Sequence, residues 1–355
     1  MYVDHFEVSN FRVIQGLIFE PHSSGVTSIV GSNGHGKTSI IEALSFAVTG
    51  RSFRSAPKDS LIRRGTDEAL IRASFISNTE RELSLDCLIS RGGQDRLRLN
   101  TNVTSRREVF RTIPLTAFSV TDIEIVASSP QLRRDYMDSA LVLLGLNAAG
   151  SVDNYEKLLR HRASILRGIS RSEGDSDEYL DVFDESLAVE GERVINFRLN
   201  FLARIETYLE EIYQEVAGTG HSVRLSYSRS SDDLYRDLKL CRSDDIRKGT
   251  TGVGPHRDDL LIYLNGLNAR FEASQGEQRT LAFALKMALH KLILDRSGDA
   301  PILLLDDIFS ELDELRIASL LGGFDSTQCI VTTSIDHQLL SSVGPVYRIE
   351  NGSLK

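Results

Sequence analysis

Eight consecutive residues, Gly31-Ser32-Asn33-Gly34-His35-Gly36-Lys37-Thr38, carry the pattern GxxxxGK[ST]. That spacing serves one kind of chemistry, the grip on a polyphosphate. Glycines let the backbone curl so that successive N–H groups point inward at phosphate oxygens. A helix that opens on the loop adds the partial positive charge of its N-terminus. In this arrangement Lys37 reaches the terminal phosphates, the Thr38 hydroxyl is placed to ligate Mg²⁺, and Ser39 continues the same helical start. His35 sits inside the loop with its side chain expected outward, and no catalytic duty is assigned to it.

A second signal is Ile302-Leu303-Leu304-Leu305-Asp306-Asp307. Four apolar residues in a row fit a central parallel strand buried on both faces. A carboxylate at the end of such a strand can hold Mg²⁺ directly or through water, which is the role read for Asp306. Asp307 is placed to polarise an attacking water as general base. Two adjacent carboxylates in an apolar site are costly without a cation between them.

The third signal is Ser274-Gln275-Gly276-Glu277-Gln278. Downstream, Leu281, Leu285, Ala288, Leu289 and Leu292 recur at helical spacing, so a small Gly-containing loop opens a helix here too. A helix terminus of this kind is a second anion-binding end in the same chain. A capped surface helix would look alike. The weight lies in the order along the chain: phosphate loop, long insertion, Ser-x-Gly loop, acidic strand.

The elements that must hold these groups are legible in outline. Val3–Val8 and Leu17–Phe19 read as strands around a turn at Val13–Gly16. Val26–Val30 is a short β-rich run, and Ile40, Ile41, Leu44, Ala47 and Val48 follow at helical spacing. Ala69–Leu99 alternates polar and apolar about a Gly92-Gly93 turn, as antiparallel strands do. From Pro130 to about Ala217 the period is helical. Val194, Phe197, Phe201, Ile205, Leu209, Ile212 and Val216 mark one amphipathic helix of about six turns. Arg171–Asp177 reads as a loop between helices, and Arg242–Gly252 as the return from a helical lobe to the main sheet. A helix from about Gln275, a strand at Ile302–Leu305, a helix from about Leu312 and a strand at Cys329–Thr332 complete the chain. The expected fold is α/β, with a discontinuous lobe formed by residues 1–125 and 255–355 and a mainly helical lobe formed by residues 126–254.

The 355 residues carry a formal charge of −9, with 41% hydrophobic and 26% charged residues, which excludes a mostly disordered chain. No apolar run approaches the roughly 18–20 residues of a membrane span. Cys87, Cys241 and Cys329 offer neither a disulfide framework nor a CxxC metal pair, and no export leader is evident, so a cytoplasmic location is expected. The acidity argues against a surface that coats nucleic acid as a whole. Between Arg51 and Arg111, however, 13 Lys/Arg stand against 8 Asp/Glu, a local +5 that leaves −14 for the rest. That stretch is read equally as a solvated mixed-charge sheet and as a polyanion-facing lobe.

The order of the three motifs resembles that of ABC-type ATPases. In that class the Ser-x-Gly-x-Gln loop completes the nucleotide site of a second subunit, with two ATP molecules held between two heads. The resemblance implies that Ser274, Gly276 and Gln278 face a second copy's nucleotide. It also places Ser310-Glu311-Leu312-Asp313 along a dimer seam and Thr333 where many members carry a switch histidine. That threonine, and an Asp at 307 in place of Glu, imply modest turnover.

Within the class the chain resembles the RecF family of bacterial recombination mediators. The matching stretches are Asn10-Phe11-Arg12, GSNGHGKTSIIEAL, Gly50-Arg51-Ser52-Phe53-Arg54, Ser129-Pro130-Gln131-Leu132-Arg133-Arg134-Asp135, Gly254-Pro255-His256-Arg257-Asp258, Ser274–Arg279, and Leu303–Asp307 with Ser310–Asp313. Phe118–Asp122 departs from the family in lacking a proline near Val120. The resemblance implies an ATP-driven homodimer that binds gapped DNA and single/double-strand junctions, with a weak DNA-stimulated ATPase. It also implies work with RecR and RecO in loading RecA during repair, replication restart and the SOS response. The insertion is too short for a long coiled coil.

Arg12 reads either as a group beside the nucleotide or as a strand-end arginine in solvent. Arg51, Arg54, Arg63, Arg64, Arg106 and Arg107 are candidate DNA contacts, since guanidinium groups suit phosphates. Arg133-Arg134 is read either as coupling lobe motion to nucleotide or as a helix N-terminus with interface pairing, and His256-Arg257 either as a site near the lobe junction or as part of a structural turn at Gly254-Pro255. Two other functions remain open: a cytosolic ATPase subunit of an ABC transporter, and a scaffold that binds ATP without turning it over.

Overall fold

A computed structural model describes residues 1–52, 57–169, 177–308, 327–334 and 338–354. The chain divides into two units, one comprising Met1–Asp122 with Phe283–Lys355 and the other Ile123–Ala282. The first unit is discontinuous in sequence. Its second boundary falls at 282/283, not at 254/255, for a topological reason given below.

The first unit holds two six-stranded sheets. In the first, strands β1 (Tyr2–Phe11), β2 (Ile14–Phe19), β4 (Glu68–Ile76), β5 (Glu82–Ser90), β6 (Arg96–Leu99) and β7 (Asn102–Val103) lie in the order β2-β1-β4-β5-β6-β7, all antiparallel. Their residues alternate between buried and exposed, as one-sided sheets require. The turn between β1 and β2 is tighter than the sequence suggests, at Arg12-Val13, with Arg12 in the left-handed region at φ 53°.

The second sheet is β15 (Ser353–Leu354), β14 (Val346–Glu350), β3 (Gly25–Val30), β13 (Gln328–Thr333), β12 (Ile302–Asp306) and β8 (Leu115–Phe118), in that order. All pairs but β14–β15 are parallel. Every residue of β12 and β13 is buried, which is why Ile302–Leu305 and Cys329–Val331 are apolar, while the buried Gln328, Thr332 and Asp306 are hydrogen-bonded. Helix α1 (Lys37–Thr49) belongs to the core shared by both sheets, through Ile40, Ile41, Ala43, Leu44, Phe46, Ala47 and Val48. Helix α2 (Arg106–Thr112) is capped by the Ser105 hydroxyl, which accepts from Glu108 N–H.

The second unit contains α3 (Glu124–Ala127), α4 (Pro130–Leu144), α5 (Leu146–Ile169), α6 (Asp177–Ala217), α7 (Leu234–Leu240) and α8 (Arg242–Lys248). It also has its own antiparallel sheet, β11 (Leu267–Asn268), β10 (Asp259–Leu264) and β9 (Val223–Ser228). Residues 255–282 belong here because β10 pairs along its whole length with β9. Arg242–Gly252 is therefore not a return to the main sheet: it begins as helix α8 and leads into this local sheet. Helix α6 runs for 41 residues, about eleven turns, where the apolar stripe alone marked six. The stripe is interrupted because Asp184 occupies a core position, fully buried against Arg162. Of the loop expected at Arg171–Asp177, residues 171–176 lie outside the described residues, as do the helix expected from Leu312 and Ser310–Asp313.

Buried polar groups organise this unit. Arg162 donates to Asp184 at 2.6 Å, to Asp245 at 2.7 Å and to the Thr251 hydroxyl at 2.9 Å, all within the interior. The Gly254–Asp258 stretch is a second such node. Tyr155 donates its hydroxyl to His256 Nδ1 at 2.7 Å, while His256 Nε2–H donates to the Thr251 carbonyl at 3.0 Å. Asp258 accepts from the Tyr227 hydroxyl and Ser230 N–H. Gly254, at φ 126°, has no room for a side chain because the Tyr155 hydroxyl fills that space. Arg133 forms a two-pronged pair with Asp259, and Arg134 donates to the Asp258 carbonyl, so both have structural partners inside the unit.

Candidate nucleotide site

The phosphate loop joins β3 to α1, between the strand and the helix that its mechanism requires. Gly34 and Gly36 take positive φ, 84° and 106°, which only glycine adopts without strain. Gly31 donates its N–H to the Thr333 carbonyl at 3.4 Å, so the start of the loop is tied to the end of β13. Gly352 N–H donates to the His35 carbonyl at 2.9 Å, fixing the middle of the loop to the β14–β15 turn. Ser32, Asn33 and Gly34 are exposed, whereas Ser39 is buried in the first turn of α1. His35 Nδ1 accepts from Asn351 N–H at 3.4 Å.

Lys37 is 6% exposed and lies at the centre of the loop. Its ammonium donates to the Gly31 carbonyl at 2.6 Å, the Ser32 carbonyl at 3.1 Å and Asn33 Oδ1 at 3.4 Å. Burial pushes its pKa down, against the opposing pull of Asp307 and Asp306. Both carboxylates are thus electrostatic neighbours of the lysine, although 269 and 270 residues separate them in sequence.

Asp306 ends β12 and is 4% exposed. Its Oδ1 accepts from the Thr38 hydroxyl at 2.8 Å and from the Thr332 hydroxyl at 2.5 Å. A hydroxyl and a carboxylate oxygen so close together form a hard-oxygen donor set of the kind Mg²⁺ takes, with room for phosphate and water ligands. Thr38 and Asp306 are the residues that would hold the ion. Asp307 follows in the left-handed region, φ 52°, with its N–H donated to the Thr332 carbonyl at 3.0 Å. A non-glycine residue held there is strained, and such strain clusters at functional sites. Thr332 is a site residue that the sequence reading passed over. Its signal is a polar pair, Thr332-Thr333, closing a strand whose middle, Cys329–Val331, is apolar.

Arg12 is engaged by Glu42 of α1, which is fully buried. Arg12 Nε donates to Glu42 Oε2 at 3.1 Å and Nη2 to Glu42 Oε1 at 2.8 Å, while Nη1 reaches the Ser60 carbonyl at 3.1 Å. Ser52 also donates to Glu42, at 2.6 Å. Arg12 therefore fastens the β1–β2 turn and the Gly50–Ser52 stretch to the phosphate-loop helix.

The candidate DNA arginines divide. Arg106 is turned inward: its guanidinium donates to the carbonyls of Phe46 and Ala47 at 2.8 and 2.7 Å and lies 4.8 Å from the Phe46 ring centre. It caps the C-terminus of α1 and neutralises the negative end of that helix dipole. Arg51 and Arg64 are exposed, and Arg63 and Arg107 are half-buried. Arg63 donates to the Val13 carbonyl at 2.8 Å. Arg54 lies outside the described residues. On the exposed face of the first sheet Glu7, Arg72, Asp86 and Arg98 stand side by side on β1, β4, β5 and β6, so charges alternate across that row. The basic surplus is not pooled there.

Ser274 precedes helix α10 (Gln275–Ser297), and Ser274, Gln275 and Gly276 are exposed. Ser274 and Glu277 form a reciprocal cap. Ser274 N–H and its hydroxyl both donate to Glu277 Oε2, at 2.8 and 2.7 Å, and Glu277 N–H donates back to Ser274 Oγ at 3.3 Å. Those contacts hold the Glu277 carboxyl below its usual pKa. Gln278 points into its own unit, donating to the carbonyls of Ala269 and Arg270 at 3.0 and 3.2 Å, and so secures α9 (Ala269–Glu272). Glu277 was not among the site residues read from the sequence, although the S-x-x-E spacing is its signature.

Residues 2–353 match the family described as RecF/RecN/SMC N-terminal domain. The chain is 30% identical to the DNA replication and repair protein RecF of Clostridium perfringens, over 100% of both chains. It is 31% identical to that of Leifsonia xyli subsp. xyli, over 100% of this chain and 99% of the relative. Among solved structures it is similar to the recombination mediator protein RecF-ATP in the RecFOR pathway, with a TM-score of 0.92 and 28% identity over 100% of this chain and 97% of the other. The RecF-ATPrS structure of the same pathway gives a TM-score of 0.87, at the same identity and coverage. An Smc head bound to the C-winged helix domain of ScpA shares the fold, with a TM-score of 0.61, 19% identity and coverage of 100% and 96%.

Proposed function

The chain belongs to the RecF/RecN/SMC N-terminal domain family, in its RecF branch, and from that premise we propose an ATP-dependent DNA-binding protein of recombinational repair and replication restart. The observation that carries the reading is the Thr38–Asp306 contact beside the buried Lys37, a phosphate grip and a divalent-metal locus in one place. The ATP-named RecF structures support ATP as the nucleotide. Lys37 and the loop amides hold the triphosphate, Thr38 and Asp306 hold Mg²⁺, and Asp307 orients water for a slow hydrolysis that DNA accelerates.

ATP binding drives formation of a homodimer in which the Ser274 loop of one copy completes the site of the other. Supporting this, Ser274 and Gly276 are exposed at the N-terminus of a long helix, and a Cβ at Gly276 would meet nothing in its own chain within 4 Å. A glycine that its own fold does not require leaves room for a close approach from outside. The dimer binds gapped DNA and single/double-strand junctions, through phosphates and through arginines such as Arg51 and Arg64. On this reading the chain works with RecR and RecO in loading RecA, in the cytoplasm; the pathway named for the RecF structures supports the RecR and RecO part.

The test is sedimentation with ATPγS and Mg²⁺, with and without gapped DNA, joined to phosphate release under the same conditions. A nucleotide-dependent dimer at micromolar protein and DNA-stimulated release are expected. A chain that remains monomeric throughout overturns the reading.

A further inference from the structure

In the Ser274–Glu277 cap, a carboxylate already occupies the two donors that a phosphate would need. Glu277 Oε2 takes both the Ser274 N–H and the Ser274 O–H. A serine hydroxyl has a single proton, so Ser274 cannot donate to a phosphate while it donates to Glu277. Ser274, Gln275 and Gly276 are exposed and Glu277 is half-buried, so the serine half of the pair is open to solvent. The capping contacts also favour the charged form of Glu277, which keeps a full negative charge at the helix start.

We propose that Glu277 is an internal stand-in for the phosphate, and that it must be displaced from Ser274 before a second copy's triphosphate can dock. This rests on the reading of Ser274 as a contact made in trans. It adds a residue that sets the threshold for dimerisation. Glu277 opposes closure twice: it holds the donors, and its charge repels an incoming γ-phosphate. Only a ligand with more negative charge and more acceptor oxygens than one carboxylate, a triphosphate with its terminal group intact, wins the exchange. The glutamate thereby makes dimerisation selective for the triphosphate over the diphosphate.

The experiment compares the full-length chain with Glu277→Gln and Glu277→Ala by sedimentation velocity, in ATPγS or ADP with Mg²⁺, at low and high salt. Glutamine keeps an acceptor for the cap and loses the charge, so helix α10 is retained. The proposal expects Glu277→Gln to dimerise about tenfold more tightly in ATPγS, with the gain shrinking toward 1 M salt as the repulsion is screened. It also expects dimer in ADP for at least one variant. If the wild type dimerises and both variants dimerise equally or less well, Glu277 only organises Ser274 and the proposal falls, while the trans reading stands. If no form dimerises in any nucleotide, both fall.

Discussion

The Thr38 hydroxyl and Asp306 Oδ1 are 2.8 Å apart although 268 residues separate them in sequence. The parallel pairing of β3 with β13 and of β13 with β12 makes this possible, because it brings the ends of strands from opposite halves of the chain to one edge of the sheet. Phosphate grip and acidic strand end thus become one site. Asp306→Asn should leave the loop and its lysine in place while removing the charge proposed to hold Mg²⁺. Nucleotide binding is expected to survive within about tenfold and phosphate release to fall by about 10² or more. Lys37→Ala should abolish binding itself, as read by equilibrium titration with a fluorescent nucleotide.

Ser274→Ala should separate two properties. Nucleotide affinity of the monomer should be unchanged if, as proposed, Ser274 serves another copy's site. Dimer formation in ATPγS should weaken by at least tenfold. Titration and sedimentation on the same preparation measure both, and equal loss of both would refute the division of roles.

The Arg12–Glu42 pair is a buried ion pair within the first unit, and breaking it leaves one charge without its partner. Glu42→Ala should cost about 3–5 kcal/mol of that unit's stability, read from urea unfolding. A milder loss is expected for Arg106→Ala, on the order of 1 kcal/mol, since it removes a helix-terminal cap. Its DNA affinity should match the wild type once folding is accounted for.

Arg51→Ala and Arg64→Ala, by contrast, should leave stability unchanged and weaken DNA binding at every sequence tested. If each contacts one phosphate, the slope of log K against log salt should fall by about 1 per residue. Gel shifts across a salt series provide the measurement.

The buried His290 and the half-buried His256 should give the protein a defined acid sensitivity. Burial pushes His256 and His290 down to about 4, from the ordinary 6.5. A folded-state pKa below the unfolded one means that the unfolded chain takes up protons first as pH drops. Stability contributed by these groups is therefore present above pH 6.5 and lost as the pH falls toward 4, by at most about 3 kcal/mol for each histidine. His290→Gln or His256→Gln should flatten the urea midpoint between pH 6.5 and 4, after any constant offset is subtracted.

The parts of the candidate site that lie within one local stretch were legible in the sequence. The phosphate loop depends on glycines at fixed offsets and a helix immediately after them. The Ser274–Glu277 cap depends on a three-residue spacing within one turn. The strands β12 and β13 announce themselves through the apolar stretches Ile302–Leu305 and Cys329–Val331, because both are buried on both faces. Each of these is decided by neighbours along the chain, whose distances the backbone itself fixes.

What the sequence left undecided depends on which distant segments meet. Arg106 looks like a surface arginine in a basic stretch, and only the packing of α2 beside α1 turns it to the Phe46 and Ala47 carbonyls. Gly254–Asp258 reads as a motif without a role until Tyr155, Tyr227 and Ser230 close around it. The boundary at 282/283 follows from the pairing of β9 with β10, a choice among strand partners that local propensity does not make. Local spacing supplied the reactive groups. Long-range strand order and burial decided which of them share a site and which only hold the protein together.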